Sequence, residues 1–241
     1  MEKIMKDKIV LISGGSQGIG RVTAEKMAKE GAVVYACSRT EKAFDDPNII
    51  YHPLDVTSDD SCKKLFEDII EKHGRIDVLI ANAGITKDAM TRKMSEEDFD
   101  RVINTNLKGI FNLVKYVGPK MEEQGKGSIV AISSVVGEQG NIGQANYAAS
   151  KAGIIGMCKS WAKEFSRKGA QVRVNVIAPG YVLTDMVKSV PEELLERFAG
   201  QTMLKRLADP QEIAEVITFI ASDKASYITG SVIDVNGGMR L

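Results

Sequence analysis

Short apolar runs alternate with segments of helical period from one end of this chain to the other. That alternation narrows the fold more than any other feature. Ile9-Val10-Leu11-Ile12 is unbroken by a polar residue, too short for a helix, and halted by Ser13-Gly14-Gly15. Such a run suits a parallel strand covered on both faces, because neither side of it has to meet water. From Gly18 the period becomes helical, with Ile19, Val22, Met27 and Ala28 on one side and Gly31 as the stop. Further strands are predicted at 32–37, 49–54, 78–81, 128–133, 172–178 and 231–235. Between them Cys62, Leu65, Phe66, Ile69 and Ile70 repeat at helical spacing up to Gly74. A long helix is predicted from Ser95, burying Phe99, Val102, Ile103, Ile110, Phe111 and Val114, and another around 147–168. Asp209-Pro210 has the chemistry of an N-cap and a first-turn proline, opening a helix to about residue 221. The pattern implies an α/β fold, a parallel sheet of about seven strands with helices on both faces. No repeat or linker divides it, so 1–241 is expected to be a single domain. The longest irregular stretch, 181–205, is where a lid over a site would lie.

Charge excludes several functions. Lys and Arg number 32 and Asp and Glu 32, so the chain lacks the basic field expected of a nucleic-acid binder. There is no polybasic run and no window of 18 uninterrupted apolar residues, which argues against a membrane-surface or membrane-spanning role. Cys37, Cys62 and Cys158 are far apart and in no metal-ligand spacing. No metal is expected. With the first strand starting near Lys8 and leaving little room for a targeting segment, reduced thiols and a cytoplasmic location are expected.

Chemistry enters between the first strand and helix. Gly14, Gly18 and Gly20 have the spacing G-x-x-x-G-x-G. Glycine there admits positive φ and lets the backbone approach a phosphate, while the helix start offers free N–H groups and the positive dipole end. A plain strand-to-helix turn is the competing reading of this motif alone. Ser13-Gly-Gly-Ser-Gln-Gly-Ile-Gly20 resembles the T-G-x-x-x-G-I-G turn of the short-chain dehydrogenases/reductases, with Ser for the first Thr. The resemblance continues in Asn82-Ala83-Gly84, in Tyr147-Ala-Ala-Ser-Lys151 (Y-x-x-x-K), in Pro179-Gly180 and in Val235-Asn236-Gly237-Gly238. It implies a doubly wound Rossmann-type sheet and a nicotinamide dinucleotide cofactor.

The resemblance also implies roles. Tyr147 and Lys151, four apart, share a helix face; a nearby ammonium is expected to lower the tyrosine pKa so that Tyr147 exchanges a proton with a carbonyl oxygen. Ser134 holds the position of the serine that polarises the carbonyl. Its neighbour Ser133 should face the other way, because side chains alternate along a strand. Asn106, in Asn104-Thr-Asn106-Leu-Lys-Gly109, matches the fourth catalytic position, where a kinked helix joins the lysine to solvent through a water; Asn104 is the alternative. Around the dinucleotide the resemblance places Gly14, Ser16, Gln17, Gly18, Ile19 and Gly20 at the turn. Ser38 and Arg39 fall at the end of the second strand, Asp55 and Val56 at the adenine edge, and Asn82 at the adenine ribose, followed by Ala83 and Gly84. Lys151, with Tyr147, falls at the nicotinamide ribose. Pro179, Gly180 and Thr184 fall at the carboxamide, with the Val182 backbone beside them.

Ser38-Arg39 bears on the choice of nicotinamide. A carboxylate at the first position would repel a 2′-phosphate, whereas the guanidinium of Arg39 suits one, so NADPH is favoured over NADH. Gln17 stands where many NADP-using relatives carry a second basic residue. Gly84-Ile-Thr-Lys-Asp88, Ser134-Val-Val-Gly137, Gly143-Gln-Ala-Asn-Tyr147 and the stretch from Ala178 to Met186 resemble the 3-oxoacyl-[acyl-carrier-protein] reductases in particular. That subgroup implies reduction of a 3-oxoacyl thioester on acyl carrier protein or coenzyme A, and a homotetramer. A rim of Lys87, Arg92 and Lys93, or of Lys126, Arg167 and Lys168, could meet an acidic carrier. Alternatives are a sugar or secondary-alcohol dehydrogenase of the same family and a catalytically silent nucleotide-binding regulator. One departure stands out. The stretch between Arg39 and Tyr51 is too short for the helix that normally joins the second and third strands.

Overall fold

The computed structural model describes residues 3–184 and 192–239. The apolar runs form β1 (Ile9–Ser13), β2 (Val33–Ser38), β3 (Ile49–Pro53), β4 (Val78–Ala81), β5 (Lys126–Ile132), β6 (Gln171–Pro179) and β7 (Val232–Val235). They make one sheet in the order β3-β2-β1-β4-β5-β6-β7, with each neighbouring pair parallel. The helices are α1 (Gly18–Lys29), α2 (Asp59–His73), α3 (Glu96–Ile103), α4 (Gly109–Gln124), the short α5 (Val136–Gln139), α6 (Ala145–Glu164), α7 (Glu192–Gly200) and α8 (Pro210–Ala221). Met27 of α1 and Ile213 and Ile217 of α8 are buried against Val10, Ile12 and Val130 on one face of the sheet. Ile69 of α2, Val117 of α4 and Trp161 of α6 are buried with Leu11, Leu79 and Ile129 on the other. This is a doubly wound, Rossmann-type α/β fold. The winding reverses between β1 and β4, and the crevice beyond the carboxyl ends of those strands is where such sheets bind ligands.

Capping explains the helix ends. Ser58 Oγ accepts from Ser61 N, and Gly74 closes α2 in the left-handed region. Asp209 and Glu212 form a complete capping box ahead of Pro210.

Three expectations are corrected. The helix from Ser95 is interrupted at the kink expected around Asn106, where Asn104–Lys108 forms a π-helical turn between α3 and α4. Val102, Ile110 and Val114 are buried, but Phe99 is 39% and Phe111 47% exposed. The inserted π turn rotates everything after it relative to a straight 3.6-residue period, so a stripe extended from Ser95 misplaces Phe111. The helix around Tyr147 ends at Glu164, before 168. Within the irregular stretch expected to form a lid, α7 is helical, and 185–191 lie outside the described residues. Residues 39–48 contain no helix. Phe44 instead packs under Arg21 of α1, whose guanidinium lies 4.6 Å from the ring centroid and donates to Ala43 O.

Candidate active site

The glycine turn leaves β1 at Ser13. Gly14 and Gly18 have φ of +68° and +51°, which a side chain would strain. A Cβ at Gly20 would run into Gly14 O and stand 2.6 Å from Asn82 Nδ2, so only glycine lets α1 start this close to the turn. Asn82 itself holds the turn, donating Nδ2 to Ser13 O and Gly14 O. Ser13 Oγ accepts from the backbone N–H of both Asn82 and Ala83. The Ser13 side chain thus ties β1 to β4, a role that its motif position alone did not disclose. No acidic residue occupies the first turn of α1, and Gln17 makes no capping bond. The donors at this helix start therefore remain available to a phosphate. Thr184 stands over the turn, its Cγ2 3.5 Å from where a Gly18 Cβ would be. Ser16 is buried beneath, Ile19 packs towards the core, and Gly180 abuts Asn236. The open turn, the free donors and the absence of an acid fit a dinucleotide pyrophosphate.

Ser38, Arg39, Asp55 and Val56 gather at the other end of the crevice. Ser38 Oγ donates to Thr40 O, and Tyr51 Oη donates to Ser38 O. Burial pushes the Asp55 carboxyl up, but two hydrogen bonds from Thr57 and the charge of Arg39 together leave it below its ordinary value. Val56 is buried, its side chain filling the space that a Cβ at Gly109 would need and its carbonyl accepting from Asn112 Nδ2.

The candidate reacting groups converge at the carboxyl end of β5. Lys151 is buried in α6, with Nζ 2.7 Å from Ile132 O and 5.5 Å from the Tyr147 ring centroid. Ser134 Oγ accepts from Val136 N at 3.2 Å and stands near enough to the Tyr147 hydroxyl to favour its ionised form. Ser133 faces the other way and donates to Lys151 O. Asn106 is fully buried in the π turn, whereas Asn104 is exposed. Asn106 Oδ1 accepts from Ile85 N, and Nδ2 donates to Ile85 O and Ser150 Oγ; Ser150 Oγ in turn donates to Tyr147 O. Gly84 sits between the two ends of this network. A Cβ there would lie 3.3 Å from Asn106 Oδ1 and 3.6 Å from Lys151 Nζ. The expectation that Lys151 holds the tyrosine pKa down is corrected. Burial pushes Tyr147 up to about 12 despite the nearby Ser134 hydroxyl, and burial brings Lys151 down to about 8. Desolvation is the largest influence on both groups.

Sequence motifs did not disclose several supports. Asn146 Nδ2 donates to Lys87 O, Gln144 Nε2 to Asp88 Oδ2, and Ala89 N to Gly143 O. These bonds fasten the segment after β4 to the start of α6. Tyr181 stacks on Phe198 of α7 at 4.0 Å between centroids, joining that helix to the cluster around Tyr147. Of the two basic rims, Lys87 lies in this fastened segment, and Arg92 and Lys93 follow it. Lys126 begins β5 and Lys168 precedes β6, at the sheet end away from the site, where they pair with Asp223 and Glu122.

Residues 14–240 match the family model described as enoyl-(acyl carrier protein) reductase. The chain is a short-chain dehydrogenase/reductase. It is 46% identical over 248 aligned residues to the 3-oxoacyl-[acyl-carrier-protein] reductase FabG of Thermotoga maritima, covering 98% of each chain. It is 43% identical to the protein of that name from Staphylococcus aureus, covering 97% of this chain and 98% of the other. The Vibrio cholerae protein of that name is 42% identical, with 98% and 99% covered. A solved structure titled as that of gox2181 superposes with a TM-score of 0.93 at 33% identity, covering 99% of this chain and 98% of the other. As a short-chain dehydrogenase/reductase the chain is an oxidoreductase that uses a nicotinamide dinucleotide. Its Tyr147, Lys151, Ser134 and Asn106 lie together on three neighbouring elements around one point.

Proposed function

We propose that this chain reduces 3-oxoacyl groups carried on acyl carrier protein to 3-hydroxyacyl groups, with NADPH as the reductant, in fatty-acid synthesis. The observation that carries the proposal is Ser134 placed beside Tyr147, with the buried Lys151 Nζ 5.5 Å from the Tyr147 ring centroid. Two O–H donors meeting in one place suit one carbonyl oxygen. The three relatives described above carry the name of this reaction.

Gly14, Gly18 and the α1 start would hold the pyrophosphate, Asp55 and Val56 the adenine, and Lys151 the nicotinamide ribose. Bound there, the cofactor supplies a hydride. Ser134 holds the C3 carbonyl oxygen by a hydrogen bond, which disperses the charge that grows as C3 becomes tetrahedral. Tyr147 gives that oxygen its proton, so the C=O becomes CH–OH and the oxygen of Tyr147 is left charged. A pKa raised to about 12 keeps Tyr147 protonated before the reaction, and the nascent alkoxide is basic enough to take the proton. Lys151 then restores it, with the Asn106 turn connecting the ammonium to solvent.

Arg39, with Ser38 where a carboxylate would oppose a phosphate, supports NADPH. Lys87, Arg92 and Lys93 support an acidic carrier docking at the site entrance, and the exposed Phe99 and Phe111 support a homotetramer. One sheet bears both the cofactor and the reacting residues, which favours a single domain over 1–241. No helix among the described residues is long and apolar enough to cross a membrane; work in the cytoplasm is part of the proposal. The helix-free 39–48 segment favours a second reading, a sugar or secondary-alcohol dehydrogenase. Comparing acetoacetyl thioester with sugars, diketones and a 2-enoyl thioester in an NADPH-consumption assay separates these. Turnover confined to sugars would replace the proposal with the second reading.

A further inference from the structure

Beside the adenosine end of the crevice lies a cavity of about 390 Å³ lined by Arg39, His52, Pro53, Leu54, Asp55, Ser61, Lys64 and Asp68. Its charges are not equally free. Both ring nitrogens of His52 face oxygen acceptors, Pro53 O at 2.8 Å and Asp68 Oδ2 at 3.0 Å. His52 thereby occupies one carboxylate oxygen of Asp68. Asp55 Oδ1 is engaged by the Thr57 N–H and hydroxyl. Among the described residues, Arg39 and Lys64 form no ion pair. Arg39, whose charge also acts on Asp55, and Lys64 thus line one space together with Ser61, whose Oγ accepts from Asp55 N. Such an arrangement is suited to an anion with several oxygens.

The shortened 39–48 connection and Gln17 give this pocket its purpose. The glycine turn contributes no second cation next to Arg39, and α2 brings Lys64 to the same cavity. We propose that Lys64 is a cofactor-discriminating residue, which with Arg39 takes up the 2′-phosphate at the adenosine end of the dinucleotide. This rests on the NADPH reading. Lys64 is exposed on α2 and touches neither the reacting residues nor the core, so its removal should leave the fold intact.

The test is equilibrium binding by titration calorimetry to the cofactor-free protein, with adenosine 2′,5′-bisphosphate and adenosine 5′-phosphate as probes. They differ only in the 2′-phosphate. The wild type is expected to prefer the bisphosphate. Lys64→Gln should bind the bisphosphate about tenfold more weakly, leave the monophosphate unchanged and keep the wild-type melting temperature. Lys64→Arg should restore the preference, and raised salt should narrow the gap between wild type and Lys64→Gln. A wild type without preference would remove the NADPH reading and the proposal together. A wild-type preference that survives Lys64→Gln, or an equal loss for both probes, would overturn the role of Lys64 and leave NADPH standing.

Discussion

Tyr147 and Lys151 show how burial sets the chemistry of single side chains. Out of water, the neutral form of each is favoured, so the tyrosine is held at about 12 and the lysine at about 8. Tyr147 is therefore a stored proton, and Tyr147→Phe should lower kcat by about 100- to 10,000-fold while cofactor affinity, followed by nucleotide fluorescence, stays near that of the wild type. Undiminished turnover would remove Tyr147 from the role of acid. A lysine depressed from 10.5 to about 8 loses its proton just above neutrality, so the reductive rate should fall as pH rises through about 8. A rate–pH profile flat to pH 10 (on the order of the free lysine value) would contradict the relay. These side chains were legible in the sequence through the resemblance of their motifs; spacing adds only that four residues on a helix give one face, and strand alternation that Ser133 and Ser134 point apart. Their pKa values were not legible. Spacing announces a neighbouring charge, whereas desolvation depends on the whole packed surround.

Elements were legible where local chemistry decides them. The box of Asp209 and Glu212 ahead of Pro210 starts α8 at the residue the sequence marks, and β4 has its expected bounds. Asp209→Ala should cost about 1 kcal/mol and lower Tm by about 2–4 °C in a protein of this size, measured by thermal melting. An unchanged Tm would mean that tertiary packing alone fixes α8. The interruption at Asn104–Lys108 was legible as a kink, because two asparagines in three residues disfavour a plain helix. Its consequence was not. A π turn changes the phase of every later residue, so periodicity carried across it puts Phe111 on the wrong side. The bonds from Asn146, Gln144 and Ser13 also escaped the sequence, since each joins segments that only the folded sheet brings together.

At the scale of the whole molecule, alternation of strands and helices sufficed for the parallel sheet, and the crevice at its reversal holds the glycine turn together with the residues proposed to meet the adenosine and to react. An even total of 32 cations and 32 anions conceals local fields: Lys87, Arg92 and Lys93 near the entrance, Arg39 and Lys64 at the far end. The exposed aromatic surface at Phe99 and at Phe111 belongs to this scale as well. If the proposed tetramer closes over it, Phe111→Glu should reduce the sedimenting mass of the assembly, whereas a wild-type mass equal to one chain would exclude the tetramer. The most direct measurement of the proposed reaction is mass spectrometry of an acetoacetyl thioester of acyl carrier protein after incubation with this chain and NADPH deuterated at the transferred position. The expected result is a 3-hydroxybutyryl thioester carrying one deuterium at C3, formed mole for mole with oxidised cofactor. Unchanged acetoacetyl thioester, under conditions where the same protein oxidises NADPH with a sugar, a diketone or a 2-enoyl thioester, would contradict it.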